Sequence, residues 1–387
     1  MNKIKNSSMF LLWAGAAISI AEIYTGGIIA PLGLAKGLTA ILLGHLIGTL
    51  LLAFGGYISF KDGKNAMEKV KDSFGRGGVK IVSALNVLQL LGWSAVMIVQ
   101  AGRALNGLIP MFHGMGLILV GVIVFFWFFF FNNFSKRIND ISVLLLILLC
   151  GVFFLNFTGT SPILPKDSIS FVLALEISIS MPISWLPLIG DYTKNGENSK
   201  GVFMSSFFGY FLASSFMYIL GLLIMLYTGM DVIEFLSTSS FKFAGILVIL
   251  LSTVTTTFLD IYSAVISSKQ IFKVENENLM VLIYTVIATA VAFVFPIEGY
   301  QNFLLAIGSV FIPVYTILFT HYLLKSEDES SAFNGPGLVI AACGTALYYF
   351  LSSNGIGMPT MIVLLTVSIA YMVLKKIFEF GGVANEQ

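Results

Sequence analysis

Prolines inside an apolar stretch long enough to cross a bilayer constrain this chain more than anything else in it. Ser178-Ile179-Ser180-Met181-Pro182-Ile183-Ser184-Trp185-Leu186-Pro187 runs on to Gly190-Asp191-Tyr192. Pro182 and Pro187 lack an N–H and clash with the preceding turn, so they free backbone carbonyls where no lipid can satisfy them. Such backbone is tolerated at membrane depth only where protein encloses it or where it lines a water-filled cavity. Trp185 adds a flat apolar face beside those carbonyls, and the stretch reads as half of a binding site. The bland alternative is a proline kink with Trp185 packed or anchored at an interface.

The surroundings are apolar enough to make that reading matter. With 57% hydrophobic residues, 11% charged and 35 Phe in 387 residues, most of the surface must meet lipid. At about 20 apolar residues per crossing, twelve spans fall at 9–33, 38–60, 79–108, 115–132, 138–157, 169–190, 201–228, 243–268, 278–296, 301–324, 336–353 and 358–378. When loops are assigned alternately to the two sides, only Lys36, Arg103, Lys166 and Lys242 of the 21 Lys and Arg fall opposite the N-terminus. That asymmetry puts both termini in the cytoplasm and the chain in the cytoplasmic (inner) membrane. The segment Lys61 to Lys80 reads as a short amphipathic helix on the membrane surface. The first span opens like a signal peptide, but Glu22, Gly26 and Gly27 follow without a small-residue cleavage site, and it is kept as a span.

The first span is broken too, at Ser19-Ile20-Ala21-Glu22-Ile23-Tyr24-Thr25-Gly26-Gly27, with Pro31 and Gly33 beyond it. Breaks in spans one and six, five spans apart, fit two five-span repeats of opposite topology, at 1–157 and 158–324, with spans eleven and twelve appended at 325–387.

Acids within spans are costly unless they face a cavity or a partner. There are three: Glu22 at the first break, Glu176 before the second, and Asp260 in span eight. Span eight also carries Thr253, Thr255, Thr256 and Thr257; Thr256 and Thr257 are hard neutral oxygens suited to sodium. Thr in membrane helices otherwise bonds its own preceding turn. Span three holds Asn86, Gln89, Trp93 and Gln100. Trp93 opposite Trp185 would make the walls of a slot for a flat ring, with Gln89 and Ser184 at its edge. Glu22 or Asp260 could bond the amino group and ring nitrogen of an aminopyrimidine together. Cys150 and Cys343 fall in apolar spans, so neither a disulfide framework nor a metal site is expected from them. No phosphate loop, zinc spacing or Ser/His/Asp order is present, and no basic cluster interleaved with aromatics. Enzyme activity, ATP hydrolysis and nucleic acid as a partner are not supported.

Several strings resemble the nucleobase:cation symporter-1 family, over most of the first ten spans. They are Tyr24-Thr25-Gly26-Gly27, Gly44 to Tyr57 followed by Lys61-Asp62-Gly63, Phe74-Gly75, Leu85-Asn86 to Gly92-Trp93, Trp185 with Asp191-Tyr192, and Asp260-Ile261-Tyr262-Ser263-Ala264. The likeness points to the branch of hydroxymethylpyrimidine permeases related to cytosine permease. It implies an all-α polytopic membrane protein of about twelve helices with a LeuT-type 5+5 inverted repeat, broken helices 1 and 6 and two extra helices. It also implies alternating access, a flat heterocycle between Trp93 and Trp185, and a sodium ion held by carbonyls around Ala21 with Thr256 and Thr257. Two positions depart from the family pattern. Met97 stands where some members carry Gln, and Glu22 replaces a small polar residue of the cytosine permeases; both changes fit a different amino-bearing ring.

The expected function is therefore import of a small pyrimidine, first the hydroxymethyl-aminopyrimidine precursor of thiamine, coupled to a sodium or proton gradient without a cofactor. The cation would join spans one and eight, and substrate would then close span ten over the slot, at Gly308 and Pro313. The partners are the lipid bilayer and the heterocycle; oligomeric state has no sequence signal. A permease for cytosine or another heterocycle and a passive facilitator stand as alternatives.

Overall fold

A peptide group in lipid must find its hydrogen bond within its own segment, so apolar runs of this length become helices. In the computed structural model they do. The structure describes residues 3–109, 112, 114–130, 144, 161–163, 165, 167–238, 242–296, 299–325 and 333–383. Span one is two helices, α1 (Asn6–Ala17) and α2 (Ile20–Ile28), followed by a single 3-10 turn. Span two is α3 (Gly33–Asp62), span three the greater part of α4 (Ala66–Leu108), and span four α5 (Met115–Phe130). Span five, with Cys150, lies outside the described residues. Span six is again two helices, α6 (Phe171–Ile183) and α7 (Leu186–Thr193). Then come α8 (Ser199–Thr228), the short α9 (Val232–Thr238), and α10 (Lys242–Ser268) as span eight. Spans nine to twelve are α11 (Glu277–Val294), α12 (Tyr300–Leu323), α13 (Gly335–Ser353) and α14 (Pro359–Val383). Among the described residues, eight helical stretches are long and apolar enough to cross a bilayer.

Glycine seats both broken spans against their neighbours. A Cβ on Gly26 would lie 2.0 Å from the Tyr218 carbonyl oxygen, and one on Gly221 1.7 Å from that of Ile23, so α2 and α8 meet backbone to backbone. On the other side, a Cβ on Gly44 would lie 2.4 Å from Ser178 Cβ, and one on Gly48 2.4 Å from Pro182 Cγ. Gly44 and Gly48 are one helical turn apart on α3, the small-xxx-small spacing that brings membrane helices close. Span one thus docks on span seven as span six docks on span two.

The expected surface helix differs from expectation in its burial. Its residues, from Ala66 to Phe74, turn into the long part of α4 at Gly75, where φ is 70° and only glycine is comfortable. Instead of a solvated face it presents Lys69 and Asp72 to protein, at 6% and 7% exposure. Burial is tolerated because the charges pair: Lys69 Nζ donates to Asp62 (2.5 Å) and Asp72 (2.7 Å), and Lys64 Nζ donates to Asp72 (2.7 Å). Asn334 Nδ2 donates to the Ser73 carbonyl, fastening the start of α13 to the same helix.

Candidate binding site between the broken helices

The two breaks are built differently. In span one, Ile18 (φ −86°, ψ 92°) and Ser19 (φ −146°, ψ 160°) are extended, and the Ser19 hydroxyl accepts from Glu22 N at 3.3 Å, capping α2. In span six, Ser184 (φ −60°, ψ −22°) and Trp185 (φ −88°, ψ −11°) keep helical dihedrals. Pro187 has no N–H to give to Ile183, and Leu188 N–H turns to the Trp185 carbonyl at 3.2 Å. The Ser184 carbonyl accepts instead from Gln89 Nε2 at 3.0 Å. A freed carbonyl at membrane depth has found protein, as the prolines required.

Between the breaks lies a small cavity. Ser19, Ala21 and Glu22 line it from span one, Met181, Ser184 and Trp185 from span six. Trp93 and Met97 line it from α4, and Asp260 from α10. Its volume is about 10 Å³, room for one water, so a ring enters only if the walls part. Beyond it lies a vestibule of about 570 Å³, lined among others by Tyr24, Met225, Asp231, Glu234 and Gln301. Tyr300 stands between the two: its ring meets Tyr24 edge-on at 6.0 Å and Trp93 at 5.7 Å, and its hydroxyl is 3.1 Å from that of Thr25. On the other side, Trp13 meets Trp185 edge-on at 6.0 Å and Tyr192 at 6.2 Å.

Of the six expected substrate residues, Trp93, Trp185, Glu22, Asp260 and Ser184 line this cavity. Gln89 does not. It sits one helical turn from Trp93, with its amide on the Ser184 carbonyl. The two acids are in opposite states. Glu22, 2% exposed, accepts from Tyr210 Oη on one oxygen (2.8 Å) and from Ser214 Oγ on the other (2.7 Å). Asp260, 3% exposed, has no hydrogen-bond partner among the described residues. The third acid, Glu176, points away: Tyr348 Oη donates to it at 3.0 Å and Thr360 through both N–H (3.1 Å) and hydroxyl (2.5 Å), so it ties α6 to the two appended helices.

The expected sodium ligands are partly committed elsewhere. The Ala21 carbonyl accepts from Thr25 Oγ1 at 2.5 Å, and Thr257 Oγ1 donates to the Thr253 carbonyl at 2.7 Å, the self-bonding usual for Thr in a membrane helix. Thr256 Oγ1 is buried without a partner among the described residues, and it is the hydroxyl whose chemistry fits a bound cation. The group that sequence reasoning passed over is His45. It is fully buried in the middle of span two; its Nδ1 donates to the Ile41 carbonyl at 2.9 Å and its Nε2 lies 2.6 Å from Ser214 Oγ. The available signal was an ionisable side chain at mid-membrane, the same one that singled out the acids.

The sequence profile of permeases for cytosine/purines, uracil, thiamine and allantoin matches residues 2–374. Among curated proteins, no sequence matches this one. Among solved structures, Mhp1, a nucleobase-cation-symport-1 family transporter in a closed conformation with bromovinylhydantoin bound, superposes with a TM-score of 0.80 at 17% identity, over 96% of this chain and 91% of that one. Its inward-facing conformation gives 0.79 at 16% identity, over 97% and 92%. A manganese transporter from Eremococcus coleocola gives 0.62 at 13% identity, over 95% and 92%.

Proposed function

The chain belongs to the family of permeases for cytosine/purines, uracil, thiamine and allantoin, a transporter and not an enzyme, and from that premise we propose that it imports a small aminopyrimidine by cation-coupled alternating access. Asp260 carries the reading. A carboxyl buried without a partner is costly, and here it shares a cavity with two indoles. A ring with an amino group beside a ring nitrogen makes both missing hydrogen bonds at once, with one proton held between the carboxyl and the ring nitrogen. With both oxygens of Glu22 engaged by α8, Asp260 reads the ring edge and Glu22 holds α2 in place. Met97 gives the cavity an apolar wall where an amide would have matched a more polar ring. That combination favours hydroxymethyl-aminopyrimidine, whose ring carries a methyl group as well as the amino group, over cytosine.

The docking of span one on span seven and of span six on span two supports a division into repeats at 1–157 and 158–324, with 325–387 appended. The charge asymmetry of the loops supports cytoplasmic termini. For coupling, the Thr256 hydroxyl, without a partner among the described residues, supports sodium. Coupling to a proton is favoured by one other observation. The single Ser214 proton lies between Glu22 and His45, whose Nδ1 proton is already spent on Ile41. Satisfying both contacts needs one further proton on that chain.

The test is thermal stabilisation of the purified protein by a panel of pyrimidines, with and without sodium, at two pH values. Ligands of the folded state raise the melting temperature by mass action. A shift by hydroxymethyl-aminopyrimidine, lost in Asp260→Asn and enlarged by sodium, is the expected result. A larger shift by cytosine would move the assignment to that ring. A shift enlarged by low pH and indifferent to sodium would move the coupling to a proton.

A further inference from the structure

The amide side chains of Asn86 and Gln89 form a hydrogen-bond circuit behind the cavity wall. Asn86 Nδ2 donates to the Pro187 carbonyl at 3.1 Å and to Ser267 Oγ at 2.8 Å. Gln89 Nε2 donates to Asn86 Oδ1 at 2.9 Å and to the Ser184 carbonyl at 3.0 Å. A backbone carbonyl only accepts, so the contacts with Pro187 and Ser184 fix which end of each amide is nitrogen. All four amide hydrogens are then spent, and Asn86 Oδ1 is used. Gln89 Oε1 is left buried without a donor among the described residues. Asn86 and Gln89 are 0% and 5% exposed, so these bonds are made away from bulk solvent.

The circuit joins three elements: α4, which carries both amides; the span-six break, held at two carbonyls on either side of Trp185; and α10, held at Ser267 two turns from Asp260. Gln89 and Trp93 are four residues apart on one face of α4. The hydrogen bond from Gln89 to Ser184 therefore fixes the height and distance at which Trp185 stands opposite Trp93.

We propose that Asn86 and Gln89 are positioning residues that set the width of the slot, and through it the size of ring the transporter accepts. They touch the wall of the cavity from behind and make no contact with the ring. This rests on the slot being the substrate site, and the experiment separates the two ideas by carrying one readout that needs no substrate.

In a background with Cys150 and Cys343 replaced by Ser, Ser184→Cys is labelled with a small thiol reagent in the substrate-free protein. Adding Gln89→Leu, which keeps the shape and removes the amide, raises the labelling rate about tenfold, the scale of one lost hydrogen bond to a carbonyl. Gln100→Leu, a buried amide on the same helix whose side chain has no partner among the described residues, leaves the rate unchanged. Melting-temperature shifts by a one-ring pyrimidine and a two-ring purine are then measured with native Ser184. The preference for one ring over two falls in Gln89→Leu and in Asn86→Leu, whereas a residue with a merely structural role lowers stability and leaves the preference intact. Equal labelling rates with and without Gln89→Leu in folded protein would overturn the proposal. So would an unchanged ring preference. If neither ring shifts the unsubstituted protein, the substrate assignment fails, and the labelling rate still decides the amide circuit.

Discussion

The two breaks of this protein are advertised and executed in opposite ways. Span six carries two prolines, yet its chain hardly leaves the helix: Ser184 and Trp185 keep helical dihedrals, and the Ser184 carbonyl left over at the break is taken up by an amide from α4. Span one has no proline at its break, yet Ile18 and Ser19 are fully extended. A proline removes a donor at a fixed place, and a neighbour with a side-chain amide can cover that loss without unwinding the chain. An extended break needs a new helix start. Ser19 supplies the cap, and the docking of α2 on α8 supplies the energy. The first break is thus made by what lies beyond it, the second by what is missing within it.

Five substitutions sharpen or break that contrast. The largest effect is expected from Gly221→Val, which puts a side chain where the Ile23 carbonyl lies. Overpacking there should cost roughly 3 kcal/mol and undock α2, seen as loss of a monodisperse peak on size-exclusion chromatography. A well-behaved variant with native melting temperature would mean that α2 is not held by this contact. Next is Glu22→Gln, which keeps the size and gives the site a donor where Tyr210 and Ser214 both need acceptors. It should cost about 2 kcal/mol, read as a lower melting temperature in ligand-free protein, while Asp260→Asn removes ligand-induced stabilisation and spares the ligand-free value. The reverse pattern would exchange the roles of the two acids.

Ser19→Ala removes the cap of α2 and should cost about 1 kcal/mol; hydrogen exchange at Glu22 N–H and its neighbours should quicken, and unchanged exchange would show that docking alone holds the start of α2. The smallest effect belongs to Pro187→Ala. Its dihedrals already suit a helix, and the restored N–H can reach Ile183, so stability should move by less than about 1 kcal/mol. A loss comparable to that of Gly221→Val would mean that span six depends on its proline as span one depends on its docking.

Much of this was legible in the residues, for definite reasons. The breaks were visible because Pro, Gly and Ser act locally, and Trp93, Trp185 and Asp260 stood out because indoles and carboxylates are conspicuous in apolar spans. Gln89, expected at the slot's edge, sits one turn from the cavity lining, since on an α-helix residues four apart share a face and sequence does not say which of them reaches a cavity. The surface helix near Lys69 looked solvated because its ion partners, Asp62 and Asp72, are ordinary loop charges until the chain folds them together.

By itself the sequence determined that this chain crosses a membrane many times, that two of its spans are interrupted, and which chemistry-bearing side chains lie at membrane depth. Those are consequences of hydropathy and of backbone groups that each residue carries wherever it goes. Only the tertiary structure decided that, among the described residues, Glu22 is engaged and Asp260 is not. A carboxylate is defined by its partners, and Tyr210 and Ser214 reach the first from a helix far away in the chain. The depth of each break was likewise a tertiary decision, because the donors that cover a freed carbonyl and the glycines that seat a helix come from another span.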